Sequence, residues 1–165
     1  MTTPMQPQIV ERAEQPYVAI RSTVTMQTIN EIADRIPELF GWLAARGVAP
    51  TGAPFLKYNV IDMRRRLEIE AGIPVPADVE GDGDVLSRVL PAGRYVTVTH
   101  VGPFDKLLDV TTALLTWAET HDLDWDMTET PAGQAWGCRL EVYKTNPAEQ
   151  PDVGKWETEI AFKLR

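Results

Sequence analysis

Cysteine is nearly missing from this 165-residue chain, where Cys138 stands alone. One thiol cannot close an internal disulfide, so nothing points to an oxidising compartment. Cys138 reads as a buried, inert thiol, with a reactive one as the alternative. Histidine is almost as scarce: His100 and His121 lie far apart with no cysteine beside them, which removes the ligand spacing of a metal site. Basic charge is in deficit, since 16 Lys and Arg face 24 Asp and Glu, for a net charge of −8. Phosphate backbones are gripped by clustered Lys and Arg, and the single basic run, Arg64-Arg65-Arg66, is flanked by Asp62, Glu68 and Glu70. No direct nucleic-acid partner is expected. An acidic protein instead tends to accumulate cationic small molecules. No apolar run approaches the ~20 residues of a membrane span, and Met1 to Gln8 lacks a charged-then-apolar signal pattern. The expectation is a cytoplasmic protein with no membrane partner. Phosphate loops and the G-x-S-x-G elbow are missing too. Asp78-x-Glu80-x-Asp82-Gly83-Asp84 opens like a calcium loop, but Val89 takes the twelfth position, where a bidentate Glu is needed. No metal and no cofactor are predicted.

What is present is a duplication. Tyr17-Val18-Ala19-Ile20-Arg21 is echoed by Tyr95-Val96-Thr97-Val98-Thr99, and both read as strands. A helical stretch follows each. In the first, Ile29, Ile32, Ile36, Leu39 and Leu43 recur at helical spacing after a capping-box pattern, Thr28-x-x-Glu31. Pro37 should kink or restart that helix, and Gly47 suits a left-handed end. In the second, Leu107, Val110, Leu114 and Trp117 share a face, with Asp105 as a candidate N-cap. Two extended segments follow each helix, and Leu67-Glu68-Ile69-Glu70 aligns with Trp156-Glu157-Thr158-Glu159. The predicted fold is α+β: one domain of two tandem β-α-β-β repeats, about 17–75 and 94–164, with residues 76–93 as a linker. The repeats should join edge to edge with pseudo-two-fold symmetry. Their antiparallel, curved sheet would carry helices on one face and a ligand groove on the other.

Three segments make the pattern specific: Leu90-Pro91-Ala92-Gly93-Arg94-Tyr95, His100-Val101-Gly102-Pro103-Phe104-Asp105, and Leu140-Glu141-Val142-Tyr143-Lys144-Thr145-Asn146-Pro147. In this order, within a duplication spanning about Tyr17 to Leu164, the chain resembles the GyrI-like family. These are the effector-binding domains of multidrug-responsive MerR-type and AraC-type regulators. Phe104 stands where the family often has Tyr, and Asn146 where it often has Asp. The resemblance implies a pocket between the repeats for flat, hydrophobic, often cationic molecules, with Glu141 meeting the positive charge. Only about sixteen residues precede the first strand, so a stand-alone binding domain without a DNA-reading module is expected. Stand-alone members imply two further readings. One is a hydrolase opening cyclopropane-containing genotoxic natural products; the other is a protein partner, as in gyrase inhibition.

The site residues follow from strand alternation. Cys138, Leu140 and Val142 share one face, expected under the helices, and Arg139, Glu141 and Tyr143 share the other. A carboxylate in an aromatic groove is costly unless paired, and a cationic ligand would pair it. The alternatives for Glu141 are a solvent-facing side chain or a salt bridge to Arg139 or Lys144. Tyr58 matches Tyr143 across the repeats, and Leu56 matches Glu141. Trp136 and Trp156 flank these strands and are candidate walls of the groove. Trp42 and Trp117 read as core. Glu70, aligned with Glu159, faces groove or solvent and is the candidate second acid. For hydrolysis, Glu141 would direct a water and Tyr143 or Tyr58 would donate a proton.

Overall fold

The computed structural model describes residues 6–165; Met1–Met5, part of the polar N-terminal stretch, lie outside the described residues. The strands are β1 (Gln8–Arg12), β2 (Gln15–Val24), β3 (Phe55–Asp62), β4 (Arg66–Pro74), β5 (Val85–Leu90), β6 (Gly93–Val101), β7 (Met127–Thr130), β8 (Gly133–Trp136), β9 (Arg139–Tyr143) and β10 (Glu157–Lys163). The helices are α1 (Ile29–Ala33), α2 (Ile36–Ala45) and α3 (Leu107–Thr120). All the strands join one antiparallel sheet in the order β1-β6-β10-β9-β3-β4-β2-β5, with the β7–β8 hairpin added beside β3. The fold is α+β, and each repeat is strand–helix–strand–strand: β2, α1–α2, β3, β4, then β6, α3, β9, β10.

Local chemistry explains most element ends. The first helical stretch breaks after Ala33 and restarts with Pro37 in the first turn of α2, where a missing N–H costs nothing. Gly47 closes it at φ +68°, and Asp122 closes α3 at φ +53°. Two caps differ from the sequence reading. Thr28 precedes α1, but its hydroxyl accepts from the Thr25 N–H at 2.8 Å instead of capping the helix. Asp105 sits inside a 3-10 turn, Phe104–Lys106, and Lys106 takes the N-cap place of α3.

The stretch 76–93, read as linker, contains β5. It pairs with β2 from Gln15↔Leu90 to Ile20↔Val85. Its counterpart β1 pairs with β6. The strand preceding each repeat therefore hydrogen-bonds to the outer edge of the other repeat. Val85-Leu86-Ser87-Arg88-Val89-Leu90 hid this role because an edge strand needs little apolar surface and Gly, Asp and Pro surround it.

Covalent reach forces the sheet to curl. β1 and β2 lie near opposite ends of the strand order, yet only Ala13 and Glu14 join them. Pro91 and Ala92 alone join β5 to β6. Such links span no more than ~11 Å, so the ends of the sheet come together. Both faces are consequently buried. On one, Ile32, Leu39 and Leu43 of α1 and α2 pack with Val18, Ile20 and Leu56 of the sheet, while Leu114 of α3 packs with Val96, Ile160 and Phe162. On the other, Tyr17, Ala19, Phe55, Tyr95, Cys138, Leu140 and Ala161 form a core with no helix over it, sealed by Val10 and Leu90 from the two edge strands.

Gly72 makes that helix-free core possible. Tyr17 and Phe55 meet edge to face there at 5.3 Å, and a Cβ on Gly72 would lie 2.6 Å from the Phe55 ring. The ring is fully buried and cannot swing away. Gly72→Ala should therefore cost about 1–3 kcal/mol of stability through overpacking. Urea unfolding would show a lower midpoint at unchanged slope; an unchanged midpoint would mean that the ring has room.

Candidate functional site

The two repeats meet where β3 pairs with β9, through Phe55↔Val142, Leu56↔Glu141 and Lys57↔Leu140. The pseudo-two-fold axis passes between Leu56 and Glu141, so Glu141 stands at the centre of the sheet. Two residues beyond each lie Tyr58 and Tyr143, equivalent by the same symmetry. Their hydroxyls converge on one oxygen: Tyr58 donates to Glu141 Oε1 at 2.7 Å and Tyr143 donates to it at 3.1 Å. The other oxygen, Oε2, has no hydrogen-bond partner among the described residues.

Glu141 lines a cavity of about 150 Å³. Tyr58, Arg139 and Glu141 form its polar lining; Ile29 of α1 and Leu67 stand on one side, Thr111 of α3 and Phe162 on the other. Met26 lines it as well, and Met63 and Leu108, 55% and 56% exposed, mark its mouth. The groove was expected on the face away from the helices. A hollow is present on that face, lined by Arg12, Phe55, Tyr95 and Leu140, but the cavity that Glu141 lines is on the helix-bearing side, between α1 and α3. Correspondingly, Cys138, Leu140 and Val142, expected under the helices, belong to the helix-free core.

Burial sets the electrostatics. It pushes the Glu141 carboxyl above its ordinary value, while the two tyrosine hydrogen bonds and the Arg139 charge pull the other way. Tyr58 and Tyr143 are raised far above the ordinary phenol by burial and by the carboxylate, so both remain donors. Burial lowers Arg139 to about 10, which leaves it charged at neutral pH. Its guanidinium lies over Trp136 at 4.6 Å and Phe162 at 4.4 Å.

The remaining candidates spread out from this centre. Leu56 lies beside Glu141 but is fully buried in the core under α1 and α2. Trp136 is buried behind Arg139 as a stacking platform and does not line the cavity. Trp156 packs on Phe104 at 5.0 Å, and Phe104 packs on Tyr143 at 5.6 Å, so Trp156 is one ring removed. Glu70 is on the opposite side of the sheet. Fully buried, it accepts from the Tyr17 hydroxyl at 2.6 Å and from the Asn59 amide, with Lys57 and Arg88 each 3.8 Å away. It is a counter-ion inside the curl, not a pocket acid. His100 bonds the Pro103 carbonyl at 3.0 Å, a structural contact. Sequence reasoning placed Arg139 on the Glu141 face as a salt-bridge partner and Ile29 on a helix face, neither as a site residue, and did not reach Met26, Met63, Leu108 or Thr111. No strand periodicity marks these residues, because loops and helices bring them over the sheet.

Over residues 5–165 the sequence matches the family described as the GyrI-like small molecule binding domain. The chain belongs to the GyrI-like family. No curated protein shows significant sequence similarity to this GyrI-like domain. Among solved structures, its fold is similar to the C-terminal domain of EcmrR, with a TM-score of 0.78 at 22% identity over 99% of both chains. In the EcmrR–DNA complex the match covers 98% of this domain but spans only 57% of that chain. SAV2435, solved bound to tetraphenylphosphonium, matches with a TM-score of 0.66 at 14% identity, over 98% of this domain and 94% of that chain. A hydrolase from Listeria innocua matches with a TM-score of 0.60 at 15% identity, over 97% and 92%. At such identities the likeness is one of fold. Among the described residues, no helix is long and apolar enough to cross a membrane.

Proposed function

We propose that this GyrI-like domain binds flat or compact hydrophobic cations in the groove between α1 and α3. The observation that carries the reading is Glu141 in the lining of a largely apolar cavity, its Oε2 without a hydrogen-bond partner among the described residues. A charge held there without a counter-ion is costly, and a ligand cation offsets that cost. SAV2435, of the same fold, was solved with an apolar cation. The cavity of about 150 Å³ suits one substituted ring. Larger ligands require movement of Met26, Met63 and the five-residue α1, all adaptable elements.

The test uses an isosteric pair, phenyltrimethylammonium and tert-butylbenzene, which differ in one N⁺ for one carbon. Glu141 must be ionised to attract the cation, and its proton leaves above the ordinary glutamate value of ~4.3. Affinity for phenyltrimethylammonium should therefore rise with pH through a midpoint above that value and then level off. Affinity for tert-butylbenzene should stay flat. Titration by tryptophan fluorescence reads both; equal affinities at every pH would remove Glu141 from recognition.

A second reading, hydrolysis in the same groove, is favoured by the raised Glu141 carboxyl with two tyrosine donors beside it. Glu141 as carboxylate would take a proton from a water attacking an electrophilic ring, and a tyrosine would donate to the leaving atom. The hydrolase from Listeria innocua has the same fold.

A further inference from the structure

Arg139 is the group in the groove that a simple cation site does not explain. It lines the same cavity as Glu141, on the same face of β9, two residues away. A guanidinium carries five donors and is expensive to surround with protein unless they are met. Among the described residues it has no ion pair and no hydrogen bond; its contacts are the faces of Trp136 and Phe162. Glu141 is its natural partner and acts on it by charge, yet no ion pair joins the two among the described residues. Each group is restrained by something else. Tyr58 and Tyr143 hold the carboxylate by Oε1, and the two aromatic rings hold the guanidinium. The groove thus keeps one negative and one positive charge side by side, both open to a ligand and neither neutralised by contact.

We propose that Arg139 is a second recognition group, and that the preferred ligands are overall neutral: a cationic group for Glu141 and a carboxylate or other planar acceptor for Arg139, joined by one aromatic ring. This rests on the groove being the ligand site. Residues i and i+2 of a strand stand about 7 Å apart, close to the span between para substituents of a benzene ring. The planar fork of arginine matches a carboxylate with two parallel hydrogen bonds, and its stacked position fixes the plane of that fork. A ligand carrying only a cation would gain Glu141 but meet repulsion from Arg139.

Three probes separate the contributions: phenyltrimethylammonium, 4-(trimethylammonio)benzoate and benzoate, titrated into the full chain. Wild type should bind 4-(trimethylammonio)benzoate about tenfold more tightly than phenyltrimethylammonium, and benzoate weakly. Arg139→Met keeps the stem but removes the charge. It should erase the advantage of the carboxylate and strengthen phenyltrimethylammonium binding severalfold. Arg139→Lys restores charge without the fork and should recover part of the preference. If Arg139→Met fails to fold, the wild-type ratio and Arg139→Lys decide between them. A carboxylate that weakens binding to wild type, or helps wild type and Arg139→Met equally, overturns the proposal. Its failure is distinct from failure of the cation site: in that case phenyltrimethylammonium would bind wild type and Glu141→Gln alike.

Discussion

Glu141→Gln should lower the affinity for phenyltrimethylammonium ten- to hundredfold and leave tert-butylbenzene within a few fold of wild type. Glutamine has the shape of glutamate and can still accept from Tyr58 and Tyr143, so the cavity should persist. What changes is the open position, where an acceptor oxygen becomes an amide whose N–H groups oppose a cation. An interaction with a charged partner is worth about 1.5–3 kcal/mol, which converts to that range of affinity. Arg139, left as the only charge on the floor, would push the loss toward its upper end. Isothermal titration at a pH where Glu141 is ionised measures both ligands. The same variant divides the two functions. Under hydrolysis it should lose turnover while retaining substrate binding; under simple recognition neither protein turns anything over. Unchanged cation affinity would reduce Glu141 to a structural acceptor for two tyrosines.

The largest expected effect on stability lies on the other side of the sheet. Glu70→Ala should cost about 3–5 kcal/mol, the range for breaking a buried ion pair from one side. Removing the carboxylate leaves Lys57, whose side chain is nearly fully buried, with Asn59 as its remaining partner among the described residues. It also takes the acceptor from the buried Tyr17 hydroxyl, which burial and Glu70 together keep protonated. The control is Glu159→Ala, at the equivalent position of the second repeat. Glu159 pairs with Arg12 and Lys144, both substantially exposed, and surface pairs contribute up to about 1 kcal/mol. Guanidinium unfolding of the two variants should therefore give clearly different midpoints. Equal losses would show that the Glu70 network is no stronger than a surface pair.

These two glutamates also show what could be read before the fold was known. Repeat alignment equated Glu70 with Glu159, Tyr58 with Tyr143 and Leu56 with Glu141, and the strand registers agree with all three. Alternation likewise grouped Arg139, Glu141 and Tyr143 on one side of β9. Which side that was could not be read. In an open sheet the apolar side of a strand lies under the helices. Here Leu140 is buried inside the curl, and Glu141 lies between helices. Curling comes from the two-residue links and the crossed strands β1 and β5, and β5 carried too weak an apolar pattern to be recognised. The same blindness put Glu70 at the groove, because a residue turned away from the helices was taken to meet ligand or water.

The exchange of edge strands has a kinetic consequence. Gln8 pairs with Thr97 and Arg12 with Gly93, so β1 finds its partner only in a strand far along the chain, beyond the whole of the first repeat. β5 closes the first repeat from a position just ahead of the second. Neither half can complete its own border, and a fragment cut between them would present an unpaired edge to the next molecule. Folding must then proceed as one cooperative event dominated by distant contacts, a slow class of topology. The duplication that is so plain in the sequence does not survive as two separable folding units.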